Sequence, residues 1–123
     1  MTLEELTLAA MDVVGKTQRK LPNEIREHAR HVPVHYEAAP GNEVLADGFP
    51  YDILGLFTGC PHGLEFELAN PELPQIFLYL ENLREYAEDD MELFREEVRL
   101  TYLHELGHYF GWDEDELTQR GLD

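Results

Sequence analysis

The residues best suited to chemistry lie near the end of this 123-residue chain, in the run His104-Glu105-Leu106-Gly107-His108. Residues four apart lie on the same face of a helix, so the two imidazoles can bind one zinc ion. Glu105 then lies beside the metal rather than among its ligands. Zinc lowers the pKa of a bound water, and Glu105 is placed to take its proton as a general base. The run predicts a zinc-dependent hydrolase with His104 and His108 as ligands.

A catalytic zinc also needs a third protein ligand and one open position. Gly111 can end the helix with a positive φ angle, which turns the chain back towards the metal. Acidic residues occupy all of 113–116, and Glu114 lies at the ligand position of the extended motif. Glu114 is therefore the predicted third ligand. Asp113 fits the N-cap of a short final helix instead, and Asp113 and Asp115 remain the alternative ligands.

The extended pattern resembles the small bacterial zincin-like metallopeptidase family of H-E-x-x-H-x-x-G-x-x-D type. Upstream segments also follow the order of that family: Leu21-Pro22, 32–37, Leu54-Gly55-Leu56 and 74–79. The resemblance implies an α+β fold, a minimal zincin-like domain in which a small mixed β-sheet packs against N-terminal helices and a C-terminal active-site helix. It also implies one zinc ion and peptidase activity. The family has Asp as third ligand, whereas Glu114 is one methylene longer.

Apolar periodicity predicts the elements that position the motif. The predicted helices cover 3–19, 22–31, about 89–110 and 114–120, and a short helix or turn is predicted over 81–89. The predicted strands cover 32–37, 54–57, 64–68 and 75–80. The long helix from about residue 89 carries the motif, and its apolar residues recur almost every four positions: Met91, Phe94, Val98, Tyr102 and Leu106. Inside this helix Gly107 costs about 1 kcal/mol relative to alanine, which indicates close packing or access to the metal.

The resemblance also implies a path for the substrate. A peptide would lie extended along an edge strand of the sheet, for which residues 75–80 are the candidate. The alternative is that 75–80 form an ordinary buried strand. The developing oxyanion would need a hydrogen-bond donor besides the metal. The candidate donors are Arg120, Tyr51, Tyr79, Tyr109 and His62.

Composition limits the partners and the location. The chain has 26 Asp and Glu against 9 Lys and Arg, a formal net charge of −17. Such a field repels nucleic acid and anionic membranes, and it favours cations, basic peptides or a basic partner protein, unless the charge serves solubility alone. The expected substrate is a peptide or unfolded protein, basic ones included. Cys60 is the single cysteine, so no intramolecular disulfide can form, which is typical of a reducing compartment. With neither a signal peptide nor a membrane-spanning run, we expect a cytoplasmic protein with a single domain over residues 1–123.

One alternative function stays open at this stage. The chain would be a zinc-binding zincin-like protein without proteolytic activity, acting as an interaction or regulatory module. An intact Glu105 favours an enzyme, because a purely structural zinc site has no use for a general base. The other histidines at 28, 31 and 35 span a helix end and a strand, so we expect surface histidines rather than a second metal site.

Overall fold

The fold is mixed α+β, with six helices and three strands in the described part of the chain. This computed structural model describes residues 1–64 and 72–122. In chain order the elements are α1 (Leu3–Arg19), α2 (Asn23–Ala29), β1 (Val34–Glu37), α3 (Asn42–Ala46), β2 (Gly55–Thr58), β3 (Gln75–Tyr79), α4 (Leu80–Tyr86), α5 (Met91–Phe110) and α6 (Glu114–Gln119). The predicted fold class is confirmed. The strand predicted at 64–68 lies almost entirely outside the described residues.

The first helix agrees with its prediction at both ends. The hydroxyl of Thr2 accepts a hydrogen bond from the backbone N–H of Glu5 at 3.1 Å, which caps α1. The buried apolar residues of α1 are Leu6, Ala10, Val13 and Val14. They pack towards α4 and α5. Of the helices in the described ranges, none combines the length and the apolar character needed to cross a bilayer.

The sheet has the strand order β1-β3-β2, so β3 is the central strand. β1 runs parallel to β3, with Val34 opposite Ile76, and β2 runs antiparallel, with Phe57 opposite Ile76. The prediction that residues 75–80 form the substrate-binding edge is therefore wrong, because both edges of β3 are already paired. Within the described chain β2 pairs with β3 alone. β1 likewise pairs with β3 alone, so the described sheet has two edge strands, and β2 is the one that packs closely against α5.

α5 forms the centre of the core. Asp90 begins this helix, since its carboxylate accepts a hydrogen bond from the backbone N–H of Leu93 at 3.0 Å. The predicted apolar stripe is confirmed by its buried members: Phe94, Val98, Tyr102 and Leu106. One side of α5 packs against α1 and α4, and another lies against β2 and β3. The helix that carries the motif is therefore anchored along most of its length.

Two local features differ from the prediction. α3 lies between the strands predicted at 32–37 and 54–57, where no helix was predicted, and none of its residues is buried, so no apolar stripe indicated it. α4 begins at Leu80, directly after β3, where the predicted strand was still continuing. The side-chain amide of Asn82 donates to the carbonyls of Tyr51 and Ile53 at 2.9 and 2.8 Å. These contacts tie the segment before β2 to α4. The position of α4 against this segment is therefore set by residues that lie far apart in the sequence.

Candidate metal centre

The C-terminal end of α5 determines where the chain goes after the motif. Gly111 has φ 76° and ψ 22°, the left-handed conformation that glycine adopts without a Cβ clash. The backbone N–H of Trp112 donates to the carbonyl of Gly107 at 2.8 Å, which satisfies a carbonyl of the last turn. The predicted end of the helix at Gly111 is confirmed, and the chain reverses direction there.

Asp113 begins the last helix, as predicted. Its carboxylate accepts a hydrogen bond from the backbone N–H of Glu116 at 2.9 Å, the usual N-cap arrangement. The negative charge also lies at the positive end of the helix dipole. The carboxylate of Asp113 is therefore used as the N-cap. Glu114 is the first residue of α6.

α6 packs onto α5 at Gly107. A Cβ placed on Gly107 would lie 3.1 Å from Cδ1 and 3.2 Å from Cδ2 of Leu117, which is tighter than ordinary contact. Leu117 is buried, so the missing side chain of Gly107 lets α6 approach the motif. The predicted packing role of Gly107 is confirmed.

His104, Glu105 and His108 form a compact group of potential metal-binding side chains. Their ligand atoms all lie within 4.8 Å of one another, and no other group of three or more such residues occurs in the described ranges. The two imidazole centroids are 4.6 Å apart. The side chains of His104 and His108 are 43% and 50% exposed, so both imidazoles remain open to solvent. Imidazole nitrogen and carboxylate oxygen are donors that suit zinc.

Glu114 approaches this group from α6. Its Oε1 lies 2.5 Å from Nδ1 of His104, and Oε1 of Glu105 lies 3.2 Å from Nδ1 of His108. Each motif histidine therefore has its Nδ1 beside a carboxylate. Glu114 contacts His104 but is not within the compact group. Among the described ion pairs, neither Asp113 nor Asp115 pairs with a motif histidine.

Glu105 is the buried acid of the site, with its side chain only 8% exposed. The backbone N–H of Phe57 and the imidazole of His108 form hydrogen bonds with its carboxylate. Burial raises the pKa of Glu105, and the nearby imidazoles of His108 and His104 and the Phe57 hydrogen bond oppose part of that rise. A carboxyl with a raised pKa is better matched to proton transfer near neutral pH.

β2 places Phe57 beside Glu105. The carbonyl of Leu54 accepts a hydrogen bond from the N–H of Tyr79 at 3.0 Å, so it faces β3. Because alternate residues of a strand turn their backbone groups to the same side, those of Gly55 and Phe57 face the outer edge of β2. The Phe57 N–H meets Glu105 on that outer side. Sequence reasoning did not identify this contact.

Gly55 was also missed as a residue that shapes the site. A Cβ placed on Gly55 would lie 2.7 Å from Cγ2 of Thr101 and 3.4 Å from Cγ of Glu105. Glycine therefore allows α5 to lie close enough to β2 for Glu105 to reach the strand. A glycine inside a strand often marks close approach of another backbone or helix, and this was the available signal.

Two cavities border the motif. The larger encloses about 590 Å³ and is lined in part by His104, Glu105 and Tyr86. The smaller encloses about 410 Å³ and contains both motif histidines and Trp112. The five predicted oxyanion donors line neither of these cavities. Tyr86, which we did not single out from the sequence, brings a hydroxyl group to the larger one.

The predicted donors lie in other surroundings. The hydroxyl of Tyr79 is buried and has no hydrogen-bond partner within the described chain. The hydroxyl of Tyr109 lies 3.4 Å from Nδ1 of His62. The guanidinium of Arg120 donates to Glu116 at 2.8 Å. Tyr51, the remaining hydroxyl, is exposed.

The remaining histidines separate into different parts of the fold. The ring of His28 contacts that of His62, with centroids 4.3 Å apart. The ring of His35 stacks on Phe77 at 4.9 Å, and its Nε2 lies 2.7 Å from Oε1 of Gln75. The spacing of His28 and His35 in the sequence therefore does not bring their rings into one site.

We expect Gly111→Ala to destabilise the protein. Alanine in the left-handed conformation costs about 1 kcal/mol, which should lower the thermal midpoint by about 4 °C in a chain of this size. Gly111→Asn is the graded control, because asparagine tolerates this conformation better. Circular dichroism melts of the metal-free proteins should give the stability order wild type, Asn variant, Ala variant. Equal midpoints would contradict a required left-handed turn.

Comparison with known proteins agrees with this geometry. The family model of zincin-like metallopeptidases matches residues 29–122, about three quarters of the chain. This range includes the whole sheet, the motif on α5, and α6. No curated protein matches the chain. Because the family match covers the motif and most of the fold, the chain belongs to the zincin-like metallopeptidase family.

Proposed function

We propose that this chain is a zinc-dependent peptidase, with His104, His108 and Glu114 as the metal ligands and Glu105 as the general base. The supporting observation is that two exposed imidazoles and a buried carboxylate converge within 4.8 Å on α5, in a member of the zincin-like metallopeptidase family. The imidazole nitrogens of His104 and His108, together with a carboxylate oxygen of Glu114, form a donor set that suits one zinc ion. The contact between Glu114 and His104, at 2.5 Å after the turn at Gly111, supports Glu114 as the third ligand.

The residues of the site support hydrolysis of a peptide bond. Bound zinc would supply a Lewis acid that polarises the carbonyl and lowers the pKa of water. Glu105 would accept a proton at its carboxylate and pass it to the leaving amine. Burial favours this double role, because it raises the pKa of Glu105. The hydrogen bonds from Phe57 and His108 hold the carboxylate in one orientation, which reduces the cost of reaching the reactive geometry.

The substrate path is assigned to β2. In the described part of the chain this strand pairs with β3 alone. On its outer edge the Phe57 N–H is bonded to Glu105, so a peptide would pair with the backbone groups of Gly55 and the carbonyl of Phe57. An extended peptide added there as a further strand would run directly past the motif. The net charge of −17 favours peptides that carry basic residues.

We expect the zinc-loaded protein to cleave peptides in an unbiased mixture, and a chelator to reduce cleavage to background. Adding back one equivalent of zinc should restore the rate, since the reaction requires the Lewis acid. Mass spectrometry of the products and metal analysis measure both effects. Glu105→Gln purified in parallel controls for a contaminating peptidase. A protein that binds one zinc per chain yet leaves the mixture unchanged would instead be a non-proteolytic zinc-binding module.

A further inference from the structure

The larger cavity beside the motif, which we call the α5 cavity, extends along α5 away from His108. It encloses about 590 Å³ between α5, the end of α4, the residues before β2, and α6. From α5 it is lined by Glu97, Leu100, Thr101 and His104, at the spacing of a single helix face. The cavity therefore joins the proposed reaction centre to a position two helical turns earlier.

The other walls of the α5 cavity are mainly apolar. They include Ile53, Leu54, Leu117 and Leu122, with Tyr86 at the end of α4. Two further carboxylates, those of Glu105 and Glu114, line the cavity at its motif end. Apolar walls suit the methylene stem of a long side chain, whose charged end remains free to find a polar partner. The aromatic ring adds a surface to which a cation is attracted.

Glu97 supplies a charge at a defined distance from the motif. It lies seven residues before His104, about 10 Å along the helix axis. The side chain is half-buried, and within the described chain it has neither an ion pair nor a side-chain hydrogen bond. By contrast, Glu96 pairs with Arg99 at 2.6 Å. No described lysine or arginine lines the α5 cavity, so the charge of Glu97 is not neutralised there.

We propose that the α5 cavity is a specificity pocket for a lysine or arginine side chain of the peptide substrate, with Glu97 binding the positive charge. The inference rests on the proposed peptidase function, because it places the cleaved bond at the motif. A lysine next to that bond carries its ammonium on a four-carbon stem, which spans most of the distance to Glu97. The apolar walls contact the stem, and the half-buried carboxylate interacts with the charge more strongly than an exposed one.

The first test measures binding without chemistry. The probes are labelled ten-residue peptides that differ at one central position, which holds lysine, Nε-acetyl-lysine or glutamate. We expect Glu105→Gln protein to bind the lysine peptide about fivefold more tightly than the acetyl-lysine peptide. Adding Glu97→Gln should remove this difference, and adding Glu97→Lys should make the glutamate peptide the preferred one. Fluorescence anisotropy measures all three affinities.

The matched control is Glu96→Gln in the same background. It removes an identical charge from the neighbouring residue, which does not line the α5 cavity, so the preference for lysine should remain. Equal binding of the lysine and acetyl-lysine peptides would overturn the pocket. A preference that survives Glu97→Gln in a variant with an unchanged thermal midpoint would overturn the role of Glu97.

The second test separates the pocket from the peptidase function. Zinc-loaded wild-type protein is given a peptide mixture, and the cleavage sites are mapped by mass spectrometry. Cuts concentrated within one residue of lysine or arginine support the pocket. Cuts without that preference overturn the pocket and leave the peptidase function intact. Selective binding of lysine peptides without any cleavage supports the pocket and overturns the peptidase function.

Discussion

Glu105→Gln should abolish peptide cleavage without loss of the bound zinc. Removing a general base typically costs about 10³-fold in rate. Glutamine has nearly the same shape, and its side-chain oxygen can still accept the hydrogen bond from the N–H of Phe57, so the surrounding structure should be retained. The kcat for a cleaved peptide and the zinc content per chain test the two parts together. A rate within tenfold of wild type would remove Glu105 from the proposed mechanism.

The same substitution should stabilise the metal-free protein. Burial raises the pKa of Glu105 in the folded state, so the folded protein loses stability as the pH rises from the unfolded-state pKa through the folded-state pKa. Glutamine cannot ionise and escapes this loss. The expected gain at neutral pH is about 1 kcal/mol, typical of relieving an unfavourable active-site group.

Thermal melts in the presence of a chelator measure this gain. The difference between Glu105→Gln and wild type should be larger at neutral pH than at about pH 4, where the carboxyl of wild type is largely protonated. The control is Glu96→Gln, which removes an exposed carboxylate without a change in burial. A gain that does not vary with pH would show that ionisation of Glu105 does not limit stability.

Glu114→Ala should weaken zinc binding by at least about 100-fold. Loss of a residue that merely orients a metal ligand costs about 10–100-fold, and loss of a direct ligand should cost more. In the structure Glu114 contacts Nδ1 of His104, and its side chain is 70% exposed, so its replacement should leave the fold intact. Competition with a chromophoric chelator measures the affinity. A loss of less than tenfold would exclude Glu114 as a ligand.

Asp113→Ala and Asp115→Ala are the matched controls, since each removes one carboxylate from the same short segment. Asp113→Ala removes the N-cap of α6 and should lower stability by about 1 kcal/mol. It should weaken zinc binding much less than Glu114→Ala. Asp115→Ala should change neither quantity appreciably, because its side chain is exposed. A larger loss of affinity in either control than in Glu114→Ala would reassign the third ligand.

The path of the chain around the motif was predictable because it depends on local interactions. The spacing of His104 and His108 places both imidazoles on one helix face. The left-handed turn at Gly111 and the capping contact of Asp113 each involve residues within a few positions of one another. Short-range geometry of this kind follows from the order of residue types, without knowledge of the rest of the fold.

Strand order was not predictable in the same way. The density of β-branched and aromatic residues identifies 75–80 as a strand, but composition does not say which strands pair with it. The pairing of Ile76 with Val34 on one side and Phe57 on the other joins segments far apart in the chain. For that reason residues 75–79 lie between two edge strands, β1 and β2, and do not form an edge themselves.

The sequence by itself determined which side chains can bind a metal, their spacing on α5, and the turn that returns Glu114. The tertiary structure alone decided the surroundings of Glu105. Three features of these surroundings require β2 to lie against α5. They are the burial of Glu105, its hydrogen bond from the N–H of Phe57, and the close contact that Gly55 allows. The same packing forms the α5 cavity and brings Glu97 to its wall. Burial and cavity shape arise from contacts between distant segments, so a local pattern of residues does not contain them.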